Sequence, residues 1–209
     1  MASDLSIKQR VNMDKLRMKV PRMNIPNLLT WLRIFIIPFF VLIFYMPFQW
    51  HFFVSALLFA IAAFTDWLDG YLARKLKQVS PLGEFLDPVA DKLIVAVALV
   101  LLVQSHASPF LAIPAAVIVS REIVISALRE WMADLGKRHK VKVIDIGKLK
   151  TAVQMIAIII LLAVDPRKFS WLSVIGYVLI YIAAILTLWS MVVYLKVARE
   201  ELKSLPLEN

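Results

Sequence analysis

The residues best suited by type and spacing to do chemistry are four aspartates, Asp66, Asp69, Asp87 and Asp91. They sit beside segments apolar enough to cross a bilayer. An ionisable side chain at membrane depth costs roughly 2.5–3.5 kcal/mol on insertion scales, so four of them need partners or a function. Residues three or four apart share a helical face, which makes Asp66 and Asp69 one pair and Asp87 and Asp91 another. Residues 75 to 82 carry polar and proline turn signals, so the two helices are expected to be antiparallel neighbours joined at the membrane surface, with the pairs facing each other. Four oxygen donors without a thiol, and without a histidine inside the stretch, suit a hard cation such as Mg²⁺ or Mn²⁺ and not zinc. Gly70 and Ala73 leave the backbone open to close approach by a helix or a bulky ligand.

Written out, the stretch is Asp66-x2-Asp69-Gly70-x2-Ala73-Arg74-x8-Gly83-x3-Asp87-x3-Asp91. It resembles the CDP-alcohol phosphotransferase signature at every fixed position. Two flanking segments, Asn24-Ile-Pro-Asn-Leu-Leu-Thr30 and Arg121 to Lys137, are similar to bacterial members of that family that make phosphatidylglycerophosphate, and the likeness runs roughly from Met23 to Glu201. It implies transfer of a phosphatidyl group from CDP-diacylglycerol to sn-glycerol 3-phosphate, and a homodimer. It also implies two Mg²⁺ ions, with Mn²⁺ as an alternative, in a set arrangement. Asp66 and Asp87 bridge both ions, Asp69 holds one, and Asp91 holds the other while accepting the proton of the attacking hydroxyl. The CDP-diacylglycerol site carries over onto Asn27, Thr30, Gly70, Ala73, Arg74 and Ser80, and the acceptor-phosphate site onto Arg121, Arg129 and Lys148.

Physical chemistry supports several of these roles and leaves others open. Two bridging divalent cations about 3.5–4 Å apart neutralise a diphosphate and clamp an in-line displacement, and four carboxylates are about what such a pair requires. Arg74 can fork onto phosphate oxygens, or serve as an anchoring charge at the membrane surface. Ser80 can hydrogen-bond the cytosine edge. Arg121 and Arg129 fall within about 80° of each other on a helix and can meet a phosphate together; pairing with Glu122 and Glu130 is the alternative.

The elements that must position these residues follow from composition. With 61% apolar residues and a mean hydropathy of +0.77, the 209-residue chain reads as one all-α polytopic membrane domain with about six spans. No cysteine is present, which excludes disulfides and thiolate metal sites. The net charge of +9 comes from bases flanking apolar spans, so an anionic lipid surface is the expected partner and nucleic acid is not.

In order, residues 1–22 form a basic segment, read as an interfacial extension or, equally, as a disordered extension or residues ahead of a later start codon at Met13, Met18 or Met23. The catalytic membrane domain is expected over 23–203 and a short tail over 204–209. Span one is Leu28 to Met46, with Asn27 or Thr30 as its cap and Arg33 and Pro38 its only interruptions. Span two is Phe52 to Arg74 and span three Glu84 to Val103. Residues 110 to about 135, Thr151 to Val164 and Phe169 to Leu195 complete the six, with a basic loop at 136–150. Most Lys and Arg lie in 1–22, 74–77, 137–150 and 196–203, against Arg167 and Lys168 in opposite loops. The positive-inside rule then puts the aspartates and both termini at the cytoplasmic face.

Other functions can draw on the same residues. A synthase of this type using inositol phosphate or serine would share the core signature. A divalent-cation transporter also needs intramembrane carboxylates, but gives no reason for Gly70, Arg74 and Gly83. A membrane prenyltransferase typically has more spans and sets its two aspartate motifs on non-adjacent helices.

Overall fold

A computed structural model of the chain describes residues 25–76, 81–134 and 146–203. They form six helices: α1 (Ile25–Tyr45), α2 (His51–Leu76), α3 (Pro81–His106), α4 (Pro109–Asp134), α5 (Ile146–Ala163) and α6 (Trp171–Lys203). Among the described residues there is no strand, as expected for an all-α membrane protein. Residues 1–22, Ser80 and most of the basic loop lie outside the described residues.

Helix starts differ from the expected ones for local reasons. Pro26 lies in the first turn of α1 and Pro81 opens α3. A missing N–H costs nothing there, because those first N–H groups have no intrahelical partner. Asn27 and Thr30 therefore lie inside α1 and neither is its cap. Helix α5 begins at Ile146, so Lys148 and Lys150 belong to a helix and not to the loop. Helix α6 continues to Lys203 because Lys196 to Lys203 is rich in good helix formers. Between α3 and α4, Ala107 takes φ 45° and donates its N–H to the Val103 carbonyl at 3.0 Å, a left-handed helix stop.

Helix α1 packs on both α2 and α3, α2 on α5, α4 on α6, and α5 most extensively on α6. Contact between α2 and α3 is slight; their aspartates face each other across a gap, and α1, packed on both helices, joins the two. The core is continuous along the bundle, from Phe40 and Phe59 through Leu99, Leu102 and Ile118 to Ile158, Leu161 and Leu162. Large apolar side chains also cover the outside of the helices, including Phe35, Phe64, Val100, Phe110, Ile113, Ile123, Ile185 and Val192. A bundle apolar on both faces belongs in lipid. By length and composition Leu28–Tyr45, Pro109–Asp134 and Trp171–Glu200 are each sufficient to span, while His51–Asp66 and Leu149–Ala163 are shorter apolar helices. Trp50 and Trp171 sit exposed at the starts of α2 and α6, where a membrane interface places such rings.

Packing of α5 on α6 leaves no room at Gly176. A Cβ there would lie 2.7 Å from Cγ and 2.8 Å from Cδ2 of Leu161, a side chain that is 1% exposed. Gly176→Ala is expected to destabilise by about 1–3 kcal/mol through overpacking. It should lower the melting temperature in detergent while leaving the turnover number of folded protein intact; an unchanged melting temperature would show that α6 can shift freely.

Candidate active site

Successive helices run in opposite directions, so one end of the bundle collects the start of α1, the end of α2, the start of α3, the second half of α4, the start of α5 and the second half of α6. Among the described residues nearly all the buried polar side chains lie in these segments: Thr30, Arg33, Thr65, Arg121, Lys150, Gln154, Thr187 and Ser190. Ser55 is the exception, and its hydroxyl donates to the His51 carbonyl at 2.7 Å. Polar groups segregated this way at one end of an apolar bundle mark that end as the functional one.

Three of the four aspartates are brought together there by α1. Arg33, with no exposed surface, donates from Nη1 to Oδ1 of Asp66 at 3.1 Å and also to Oδ1 of Asp91. Thr30, one turn earlier and equally buried, donates its hydroxyl to Oδ1 of Asp87. Residues 30 and 33 share a helix face, so one side of α1 serves both aspartate helices. Asp69, Gly70, Ala73 and Arg74 lie on α2, Asn27 on α1 and Lys148 on α5; their side-chain placement, like all of Ser80, falls outside the described residues.

The donor set fits a hard divalent cation. Every ligand on offer is a carboxylate oxygen, and a single nitrogen reaches both Asp66 and Asp91, so these two carboxylates are close enough to share one cationic centre. Among the described residues no three such side chains are already arranged as a metal site. Asp69, the fourth carboxylate, is not among those whose side chains are described.

A cavity of about 560 Å³ opens beside the aspartates. Helix α3 lines it with Asp87, Asp91 and Lys92, α4 with Glu122 and Arg129, and α5 with Thr151 and Gln154. The volume suits a small molecule. Arg129 thus shares a chamber with Asp87 and Asp91.

Arg121 is held differently. Its Nη1 donates to Glu122 Oε1 at 2.7 Å, its Nη2 to Ser190 Oγ at 3.0 Å, and its guanidinium lies 5.9 Å from the centre of the Tyr194 ring. Lys150 Nζ reaches the same Glu122 oxygen at 2.8 Å. The pairing of Arg121 with Glu122, the alternative raised from sequence, is therefore present, and it extends to α5 and α6. Arg33, Glu122, Lys150 and Lys92 were not among the expected site residues. For Arg33 the signal was available: a single arginine inside an otherwise apolar span.

The fold and site together define a polytopic all-α membrane protein with a carboxylate centre opening on a chamber lined by both carboxylates and cations. The chain belongs to the CDP-alcohol phosphatidyltransferase family, whose model matches residues 23–189. It is 56% identical over 183 residues to the Pseudomonas fluorescens protein named CDP-diacylglycerol--glycerol-3-phosphate 3-phosphatidyltransferase, covering 87% of this chain and 93% of that one. Proteins of the same name from Salmonella typhimurium LT2 and Escherichia coli K12 are 54% and 53% identical over 179 residues, covering 86% of this chain and 97% of each.

One oxygen of Glu122 compensates two buried cations, so its removal takes an ion-pair partner from both. Removing one partner of a buried pair costs about 3–5 kcal/mol, and Glu122→Gln should fall near the lower figure because the side chain is 24% exposed. A melting temperature equal to wild type would show that Arg121 and Lys150 do not depend on it.

Proposed function

We propose that this protein transfers the phosphatidyl group of CDP-diacylglycerol to the hydroxyl of sn-glycerol 3-phosphate, giving phosphatidylglycerophosphate and CMP. The observation that carries this reading is the chamber in which Asp87 and Asp91 face the same space as Arg129: a carboxylate able to take a proton beside a cation able to hold a phosphate. The relatives' names point to the same donor and acceptor.

In this reading the acceptor hydroxyl attacks the phosphatidyl phosphorus, the bond from that phosphorus to the CMP oxygen breaks, and CMP leaves. Asp91 takes the hydroxyl proton, since it faces the acceptor chamber. Arg129, with Lys148, holds the acceptor phosphate; Arg121 contributes through its contacts with Glu122. Asn27, Gly70, Ala73, Arg74 and Ser80 receive the CDP-linked lipid, and Thr30, buried against Asp87, serves that site through the carboxylate it holds. Asp66, Asp69, Asp87 and Asp91 would hold two Mg²⁺ or Mn²⁺ ions, which when bound neutralise the diphosphate and clamp both the entering and leaving oxygens. The site and both termini face the cytoplasm of a bacterial inner membrane, on the side where the basic loops collect, and the protein works as a homodimer.

Purified protein incubated with labelled CDP-diacylglycerol and an acceptor panel decides the reaction. Label should pass to glycerol 3-phosphate and not to serine or inositol phosphate, and EDTA should stop it. Equal transfer to serine would overturn the acceptor assignment, because serine gives Arg129 no phosphate to hold. Divalent-ion flux into liposomes without either substrate would favour a transporter instead.

Asp91→Asn is expected to cut turnover by about 10²–10⁴, the usual loss for a general base, while keeping CDP-diacylglycerol binding better than Asp66→Asn does. A near-normal turnover number would remove Asp91 from that role. Arg129→Ala should raise the apparent KM for glycerol 3-phosphate roughly 10- to 100-fold, as expected for a charge-assisted contact, and leave the KM for CDP-diacylglycerol nearly unchanged. Equal changes in both would place Arg129 outside the acceptor site.

A further inference from the structure

We infer that Arg33 and Thr30 are positioning residues for the aspartate site, fixing three of its carboxylates from the buried side so that divalent cations enter from the exposed side. The inference rests on the metal reading proposed above. It starts from an asymmetry in exposure: the Arg33 side chain has none, whereas Asp66 and Asp91 keep 39% and 36% of theirs. The guanidinium therefore lies beneath the carboxylates, and the open approach is on their other side. Thr30 is likewise buried against Asp87.

The packing explains why such a device is needed. Helices α2 and α3 touch each other little, and α1 lies against both. The relative placement of Asp66 and Asp91 is therefore transmitted through α1, and Nη1 of Arg33 contacts one oxygen of each. Burial also argues against Arg33 being a substrate ligand, because a phosphate arriving through the chamber meets the carboxylates first. Groups behind metal ligands orient them, and losing one typically weakens metal affinity 10- to 100-fold.

The sign of the effect separates positioning from simple charge. Deleting a cation close to the carboxylates would, by Coulomb's law alone, tighten divalent-ion binding; losing a positioning contact weakens it. Mn²⁺ alone, titrated into detergent-solubilised full-length protein without CDP-diacylglycerol and followed by its EPR signal, provides the test. Arg33→Gln is expected to weaken Mn²⁺ binding about 10- to 100-fold. Thr30→Val should weaken it by a smaller factor, and Thr30→Ser, which keeps the hydroxyl, should restore the wild-type value. Folded Arg33→Gln that binds Mn²⁺ as well as or better than wild type overturns the inference. If Arg33→Gln does not fold, the decision passes to Thr30→Val, and wild-type affinity there overturns it. Wild-type protein that binds no Mn²⁺ would defeat the metal reading itself, a result distinct from either failure.

Discussion

A guanidinium with no exposed surface inside an apolar helix is the constraint on which the active end of this bundle depends. Arg33 cannot discard its charge, since an arginine does not deprotonate in proteins. Moving such an ion out of water costs several kcal/mol even after relaxation, so α1 can occupy its place only where carboxylates come to meet it. Asp66 on α2 and Asp91 on α3 do so. The same requirement works in reverse: both carboxylates sit on apolar helices, where a cation offsets their charge. Each charge makes the others tolerable, and the three helices carrying them are held in register as a result.

The second charged group, Arg121, Glu122 and Lys150, follows the same logic on the opposite wall of the chamber. Glu122 lies between two cations, drawing α5 to α4, while the bond from Arg121 to Ser190 draws in α6. Each buried charge adds a directional link between helices to the shape-fitting of their apolar side chains. Between the two groups lies a space lined by side chains of both kinds, Asp87 and Asp91 from α3 and Arg129 from α4. The chamber is the gap left between two charge-locked helix sets.

Much of this was legible from residue order. The aspartate spacing located the active end, the alternation of apolar runs and basic loops supplied six helices within a few residues, and the adjacency of Arg121 and Glu122 raised their pairing as an alternative. That the aspartates of α2 and α3 face each other is legible from their spacing, whereas the part α1 plays between them is not. A short connection guarantees that two helix ends meet, but not that the helices pack along their lengths. What fills the intervening space is chosen by charge, and α1 carries the complementary cation. Lys150 was assigned to a loop because a basic run reads as solvated; one member of that run pairs instead with a glutamate more than two dozen residues earlier, a partner that local pattern does not reveal.

The arrangement also bears on why the first helix should carry an arginine and not a neutral donor. With Asp66, Asp69, Asp87 and Asp91 all ionised, the end of the bundle would hold four negative charges in a medium that screens poorly, and the repulsion would drive α2 and α3 apart before any ion arrived. A permanent cation on α1 lowers that repulsion without filling the exposed approach to the carboxylates. It leaves a net negative charge, enough to attract divalent ions, while keeping the helices together in their absence. A neutral residue at position 33 would relieve nothing, and a second cation there would weaken the attraction that the site needs. One buried arginine beneath exposed carboxylates satisfies both demands.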